Sequence, residues 1–91
     1  MPMRTMPSAP EAEASLLGTM MLYDRSARDA IEEGLSEEDF YVDVNRRIYH
    51  AALSLYREGK QVDLTSVSTR LKDTGELDTV GGIAYLANLT N

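Results

Sequence analysis

The stretch 44–58, Val-Asn-Arg-Arg-Ile-Tyr-His-Ala-Ala-Leu-Ser-Leu-Tyr-Arg-Glu, carries the longest helical periodicity in the sequence and decides the fold class. Apolar residues recur at intervals of three and four residues, and a second row lies beside them. A stripe this wide predicts a central helix that packs on two sides. Asp43 is predicted to cap this helix and Gly59 to end it. The first row is Val44, Ile48, Ala51, Ala52 and Leu55, and the second is Tyr49, Leu53 and Tyr56.

Two helices are predicted in the N-terminal part of the chain, before the central helix. The first runs from about Pro10 to Leu22, because proline suits the first position of a helix. Glu11 and Glu13 lie in its first turn, where the helix dipole favours negative charge. Asp24 is predicted to cap the second helix, and Gly34 is predicted to stop it.

Three shorter helices complete the prediction. Ser36-Glu-Glu-Asp39 resembles a capping box and starts a helix that ends around residues 40–41. Asp63 is predicted to cap a helix from Leu64 to about residue 74, and the last helix begins near Gly81-Gly82. Helices this short need tertiary packing to be stable. The sequence therefore predicts an all-α fold, a compact orthogonal bundle of about six short helices over 10–91, preceded by a disordered lead-in at 1–9.

The composition narrows the class of function. The chain of 91 residues has 15 acidic and 9 basic side chains, a net charge of -6, and no cysteine. Proteins that bind the nucleic-acid backbone need clustered Lys and Arg, so direct DNA binding is not expected. Disulfides and thiolate metal sites are excluded. We find no signal peptide and no apolar run long enough for a membrane span, and therefore expect a cytoplasmic protein with no membrane partner.

The sequence contains no recognisable catalytic, cofactor-binding or metal-binding motif. GxxxxGK[ST], GxSxG, HExxH and CxxC are all absent, so we expect this chain itself to be non-enzymatic. The single histidine, His50, lacks ligands three or four residues away, and we interpret it as structural or solvated. Arg46-Arg47 is the densest basic point, and it fits a salt bridge to a partner or a solvated face.

The pair Gly81-Gly82 at a helix start supports an alternative interpretation. Helix-hairpin-helix turns hold DNA phosphates on backbone N–H groups at such a position, so a DNA-backbone-binding module is the alternative function. The match is poor, because no Lys or Arg occurs from Asp73 to Asn91 while Asp73, Glu76 and Asp78 are acidic. The favoured interpretation is that the glycines allow a tight turn or the close approach of another helix.

Five short segments, which follow one another in the order found in a known family, give the sequence its resemblance to that family. It resembles the N-terminal domain of bacterial replicative DNA helicases of the DnaB family, over about residues 10–89. The chain departs from the family at Ala9-Pro10, where a polar residue often stands, and it ends before the family's helical hairpin, linker and ATPase domain. The segments are Glu11-Ala-Glu-Ala-Ser-Leu-Leu-Gly18, Asp39-Phe-Tyr41, Asn45-Arg-Arg-Ile-Tyr49, Val62-Asp-Leu-Thr65, and Gly75-Glu-Leu77 leading to Val80-Gly-Gly-Ile-Ala-Tyr-Leu86.

The resemblance implies a scaffold role in DNA replication. In the family, N-terminal domains form a collar on a hexameric ring, so other helicase subunits and primase are the implied partners, with a helicase loader in some bacteria. ATP and Mg are implied only for the missing ATPase domain of the parent, which unwinds duplex DNA. Tyr85 is the predicted partner-binding residue, because an amphipathic aromatic suits an interface anchor. Alternatively, Tyr85 packs against a neighbouring helix.

Overall fold

The computed structural model describes residues 9–91, and all of its regular secondary structure in that range is helical. This confirms the predicted all-α bundle. The predicted disordered lead-in lies outside the described residues except for Ala9. In the described part, no helix combines the length and the apolar character that crossing a membrane requires. The helices are α1 (Pro10–Leu22), α2 (Asp24–Glu32), a single 3-10 turn (Glu37–Asp39), α3 (Asp43–Arg57), α4 (Leu64–Asp73) and α5 (Gly82–Leu89).

Local hydrogen bonds confirm two of the predicted helix starts. The Ser66 backbone N–H donates to the Asp63 carboxylate at 2.8 Å, and the Asp63 N–H donates to the Ser66 hydroxyl at 2.9 Å. At the 3-10 turn, the Ser36 N–H donates to the Asp39 carboxylate at 2.8 Å. Reciprocal bonds of this kind satisfy N–H groups that have no partner inside the helix.

The predicted caps at Asp24 and Asp43 are wrong. Each aspartate is the first residue inside its helix, and the extended residue before it, Tyr23 or Val42, takes the cap position. Neither of those residues has a side-chain oxygen that caps the helix. The Asp43 carboxylate instead accepts from Arg47 at 2.7 Å, one helical turn away.

The core is built around α3, as its wide apolar stripe predicted. Ile48 and Tyr49 are fully buried, and the ring of Tyr49 stacks on Phe40 with the centroids 5.0 Å apart. The Tyr49 hydroxyl reaches the Leu35 carbonyl at 2.7 Å, so this large aromatic is buried without an unpaired polar group. Helix α3 contacts α1, α2 and α4 directly, and α5 packs on α1 and α4.

Leu55 offers a test of this core. Its side chain is 3% exposed and belongs to the main apolar cluster, so Leu55→Ala is expected to lower the free energy of unfolding by about 2–4 kcal/mol. Urea denaturation followed by circular dichroism measures the change. Arg57→Ala, at an exposed position of the same helix, is the control and should change stability by less than about 0.5 kcal/mol. Equal effects of the two substitutions would contradict a central position for α3.

Candidate functional site

A buried carboxylate on α1 organises the start of α3. Glu13 is 9% exposed, and its Oε2 atom accepts a hydrogen bond from the Tyr41 N–H at 2.7 Å. Its Oε1 atom accepts from the Val42 N–H at 3.3 Å and from the Asn45 side-chain amide at 3.0 Å. Glu13 thus supplies, from another helix, acceptors for N–H groups at and next to the cap position of α3.

Asn45 extends this arrangement to α5. It is 1% exposed, and while its amide nitrogen donates to Glu13, its Oδ1 atom accepts from the Tyr85 hydroxyl at 2.7 Å. Three helices are therefore joined by the side chains of Glu13, Asn45 and Tyr85, which we call the polar network. Every buried side-chain N or O atom in the described part of the chain has a hydrogen-bond partner.

Four of the five segments that carry the family resemblance meet at this network. Sequence reasoning identified the segments but missed the contacts, and it interpreted Glu13 only as a favourable charge in the first turn of α1. The helical spacing did contain a signal for burial. Glu13 lies four residues before Leu17 and Asn45 lies three before Ile48, so each polar residue shares a helix face with a residue that is buried. The contributions are Glu13 from 11–18, the Tyr41 amide from 39–41, Asn45 from 45–49 and Tyr85 from 80–86.

Tyr85, the predicted partner-binding residue, is half-buried between the network and a groove. Its hydroxyl points inward to Asn45, as the packing alternative requires. The residue also lines a groove of about 480 Å³ between α1 and α5, together with Gly18, Leu22 and Leu89. Of the described residues that line this groove, Glu11 has the only charged side chain. Burial raises the pKa of the Tyr85 hydroxyl, and the nearby negative charge of Glu13 raises it further.

At Gly18 the backbones of α1 and α5 approach closely beside this groove. A Cβ atom built on Gly18 would lie 1.9 Å from the carbonyl oxygen of Leu89, the last residue of α5. Only a residue without a side chain fits against this backbone. The close approach fixes the end of α5 on α1 and sets the geometry of the groove.

The two glycines at the start of α5 form the tight turn that the sequence predicted. Gly81 and Gly82 have φ values of 105° and 73°, which side chains rarely adopt. Their N–H groups donate within the turn, Gly81 to the Asp78 carbonyl at 3.1 Å and Gly82 to the Leu77 carbonyl at 2.8 Å. These N–H groups are therefore not available to a DNA phosphate, which favours the turn over the DNA-binding alternative.

The arginine pair is bound within the domain. The Arg46 guanidinium donates to the Phe40 carbonyl at 3.0 Å, and Arg47 bridges Asp43 at 2.7 Å and Glu76 at 2.8 Å. Hydrogen bonding to Arg47 holds the pKa of the Asp43 carboxyl below its usual value. The pair thus ties the loop before α3 and the turn before α5 to α3.

His50 lies on the surface of α3, away from the network. Its side chain is 61% exposed, and its Nδ1 atom lies 2.6 Å from a carboxylate oxygen of Glu37. This contact joins α3 to the 3-10 turn. The exposure and the Glu37 contact agree with the interpretation of His50 as a structural or solvated histidine.

These features define a small helical domain in which a polar network supports an aromatic residue beside a groove. The sequence model of a protein family, the DnaB-like helicase N terminal domain, matches residues 5–91. A crystal structure of the N-terminal domain of DnaB helicase from Mycobacterium tuberculosis superposes with a TM-score of 0.87 and 36% sequence identity, covering 92% of this chain and 58% of that one. The chain belongs to the DnaB-like helicase N-terminal domain family, as the five segments predicted.

Two replicative helicases illustrate the relationship. The replicative DNA helicase DnaB of Geobacillus stearothermophilus is 36% identical over 88 residues, which are 97% of this chain and 19% of the relative. The replicative DNA helicase DnaC of Bacillus subtilis is 40% identical over 88 residues, again 97% of this chain and 19% of the relative. The chain therefore spans about a fifth of the length of these curated relatives.

Proposed function

We propose that this domain is the protein-interaction part of a hexameric replicative helicase, where it supports ring assembly and recruits primase. One observation carries the proposal. Four of the family's segments converge on a network that ends at Tyr85, and Tyr85 lines the groove between α1 and α5. Residues shared by a family serve either packing or recognition, and an aromatic side chain that is half in the core and half in a groove serves both.

The groove suits a protein partner better than a nucleic acid. Its described lining is apolar or neutral except for Glu11, and the neighbouring Leu22 leaves 53% of its surface exposed. Apolar surface beside an aromatic anchor is typical of the centre of protein interfaces. A DNA backbone would instead meet an acidic domain with a net charge of -6.

The same proposal assigns the remaining roles. Other helicase subunits and primase are the partners, a helicase loader is a further one in some bacteria, and the compartment is the cytoplasm. ATP hydrolysis and its Mg ion belong to the ATPase domain of the longer protein rather than to residues 1–91. The domain itself contributes binding and not chemistry.

Tyr85→Ala tests the recruitment claim. Isothermal titration calorimetry with the C-terminal domain of primase from the same organism should show binding to the wild-type domain and at least about tenfold weaker binding to the variant. Tyr56→Ala is the matched control, because Tyr56 is also half-buried and pairs with Glu32 away from the groove. The control should keep the wild-type affinity.

Two outcomes would contradict this proposal. The absence of heat with both the 91-residue chain and the full-length helicase would remove primase as the partner. A Tyr85→Ala variant that melts much earlier but binds primase with the wild-type affinity would leave Tyr85 with a packing role alone.

A further inference from the structure

We infer that Glu13 and Asn45 are positioning residues for the partner-binding face: they hold the Tyr85 hydroxyl inside the domain, so that the partner meets the aromatic ring and not the hydroxyl. The inference rests on the proposed function of the groove. It also goes beyond it, because it assigns a role in recognition to two buried side chains on α1 and α3.

The direction of each hydrogen bond follows from the residue types. A carboxylate only accepts, so Glu13 requires the NH2 group of Asn45 to face it, at 3.0 Å. The opposite atom of the Asn45 amide, Oδ1, then faces α5 and accepts from the Tyr85 hydroxyl at 2.7 Å. Glu13 thus determines which way the Asn45 amide is turned, and Asn45 determines where the tyrosine hydroxyl goes.

Glu13 is itself held in place by the backbone. The Tyr41 and Val42 N–H groups donate to its two carboxylate oxygens, at 2.7 and 3.3 Å. These partly buried amides lie at the start of α3, so the carboxylate cannot move without leaving them unpaired, at a cost in stability. The α3 backbone therefore holds Glu13 in place, Glu13 orients Asn45, and Asn45 holds Tyr85.

Gly81 restricts Tyr85 from the other side. A Cβ atom on Gly81 would lie 2.8 Å from the Tyr85 Cβ and 3.3 Å from its Cγ, so the backbone of the turn sits directly against the side chain. Tyr85 is held at its base by this turn and at its tip by Asn45. A side chain fixed in this way before binding loses less conformational entropy when a partner covers it.

The fixed hydroxyl has a consequence for the partner. Because the Tyr85 hydroxyl is already bonded to Asn45, the surface that faces the groove is aromatic carbon, with Leu22 and Leu89 beside it. The complementary partner surface is an apolar side chain that packs on the ring. The partner therefore receives no hydrogen bond from the hydroxyl, whose single donor is used by Asn45.

A double-mutant cycle tests the positioning. Asn45→Ala and Tyr85→Phe should each weaken binding to the primase C-terminal domain by about three- to tenfold, the range for releasing one immobilised side chain. The double variant should bind no more weakly than either single variant, because both changes break the same contact. Tyr85→Phe keeps the ring and removes a single oxygen, so it remains informative even if Asn45→Ala folds poorly.

Tyr49→Phe is the matched control for this cycle. It removes a buried tyrosine hydroxyl bond of the same length, 2.7 Å to the Leu35 carbonyl, on a side of α3 that does not reach the groove. It should lower stability and leave primase affinity unchanged. Additive losses in the double variant, or an equal loss of affinity in Tyr49→Phe, would overturn the inference.

A second readout does not depend on primase. NMR coupling constants that report χ1 of Tyr85 should indicate one rotamer in the wild-type domain and in Tyr49→Phe, and averaging over rotamers in Asn45→Ala. An unchanged single rotamer in Asn45→Ala overturns the positioning role. Averaging with undiminished primase affinity overturns its importance for recognition. If wild-type primase binding is absent, the proposed function fails, and the χ1 measurement still decides whether Asn45 positions Tyr85.

Discussion

Gly18→Ala is expected to lower the free energy of unfolding by about 4 kcal/mol, more than the roughly 1–3 kcal/mol that overpacking typically costs. The added methyl group would lie 1.9 Å from the Leu89 carbonyl oxygen and 2.8 Å from its carbonyl carbon. Both atoms are backbone, so they cannot turn away as a side chain would. Helix α5 has to move off α1, which disturbs the fully buried Leu86 and the bond from Tyr85 to Asn45.

The sign of this effect is informative, because helix propensity alone predicts the opposite. Gly18 lies inside α1, where alanine is more favourable than glycine by about 1 kcal/mol. If α1 and α5 were not in contact, the substitution would therefore stabilise the domain. A loss of about 4 kcal/mol would mean that the clash with the Leu89 backbone costs several times more than alanine gains in helix propensity.

Thermal and urea denaturation measure the difference, and a loss of this size corresponds to a fall in Tm of about 20 °C for a domain of this length. Gly59→Ala is the control, since Gly59 has a φ of 76° and no atoms within 4 Å of the added methyl. It should cost only about 1–2 kcal/mol, the penalty for a left-handed backbone. A Gly18→Ala variant with a raised Tm would refute the close contact between α1 and α5.

Features encoded within a few neighbouring residues were predictable from the sequence. The bounds of α1, the cap at Asp63 and the turn at Gly81-Gly82 each depend on contacts within about one helical turn. The width of the apolar stripe on α3 identified the central helix for the same reason. The order of the five segments then identified the family.

Features that join distant segments were not predictable in this way. Asp43 looked like a cap because it is the nearest suitable side chain, whereas the acceptor at the start of α3 comes from Glu13 on α1. Gly18 gave no sign that Leu89 would pack on it, because glycine inside a helix has no pattern of its own. Tyr85 was predicted as a binding residue, and the structure shows the Asn45 contact that holds it.

Glu13→Ala is the substitution that should damage the site most directly, with an expected loss of about 4 kcal/mol in the free energy of unfolding. It leaves three donors without their acceptor: the N–H groups of Tyr41 and Val42 and the amide of Asn45. Each unpaired donor costs about 1–3 kcal/mol when it is buried, and partial access of water reduces the sum. Glu13→Gln should lower the free energy of unfolding by less, because the glutamine amide keeps one oxygen that can still accept a hydrogen bond.

Glu11→Ala separates the network from a simple charge effect. Glu11 and Glu13 both lie in the first turn of α1, so either substitution weakens the favourable interaction with the helix dipole, by about 0.3–1 kcal/mol. Glu11 is exposed, and it should therefore show only this smaller loss. Hydrogen exchange provides the specific measurement: the Tyr41 and Val42 amides should exchange faster in Glu13→Ala and remain unchanged in Glu11→Ala. Equal exchange in both variants would mean that the start of α3 does not depend on Glu13. The positioning of Tyr85 through Glu13 and Asn45 would then have no support from the α3 backbone.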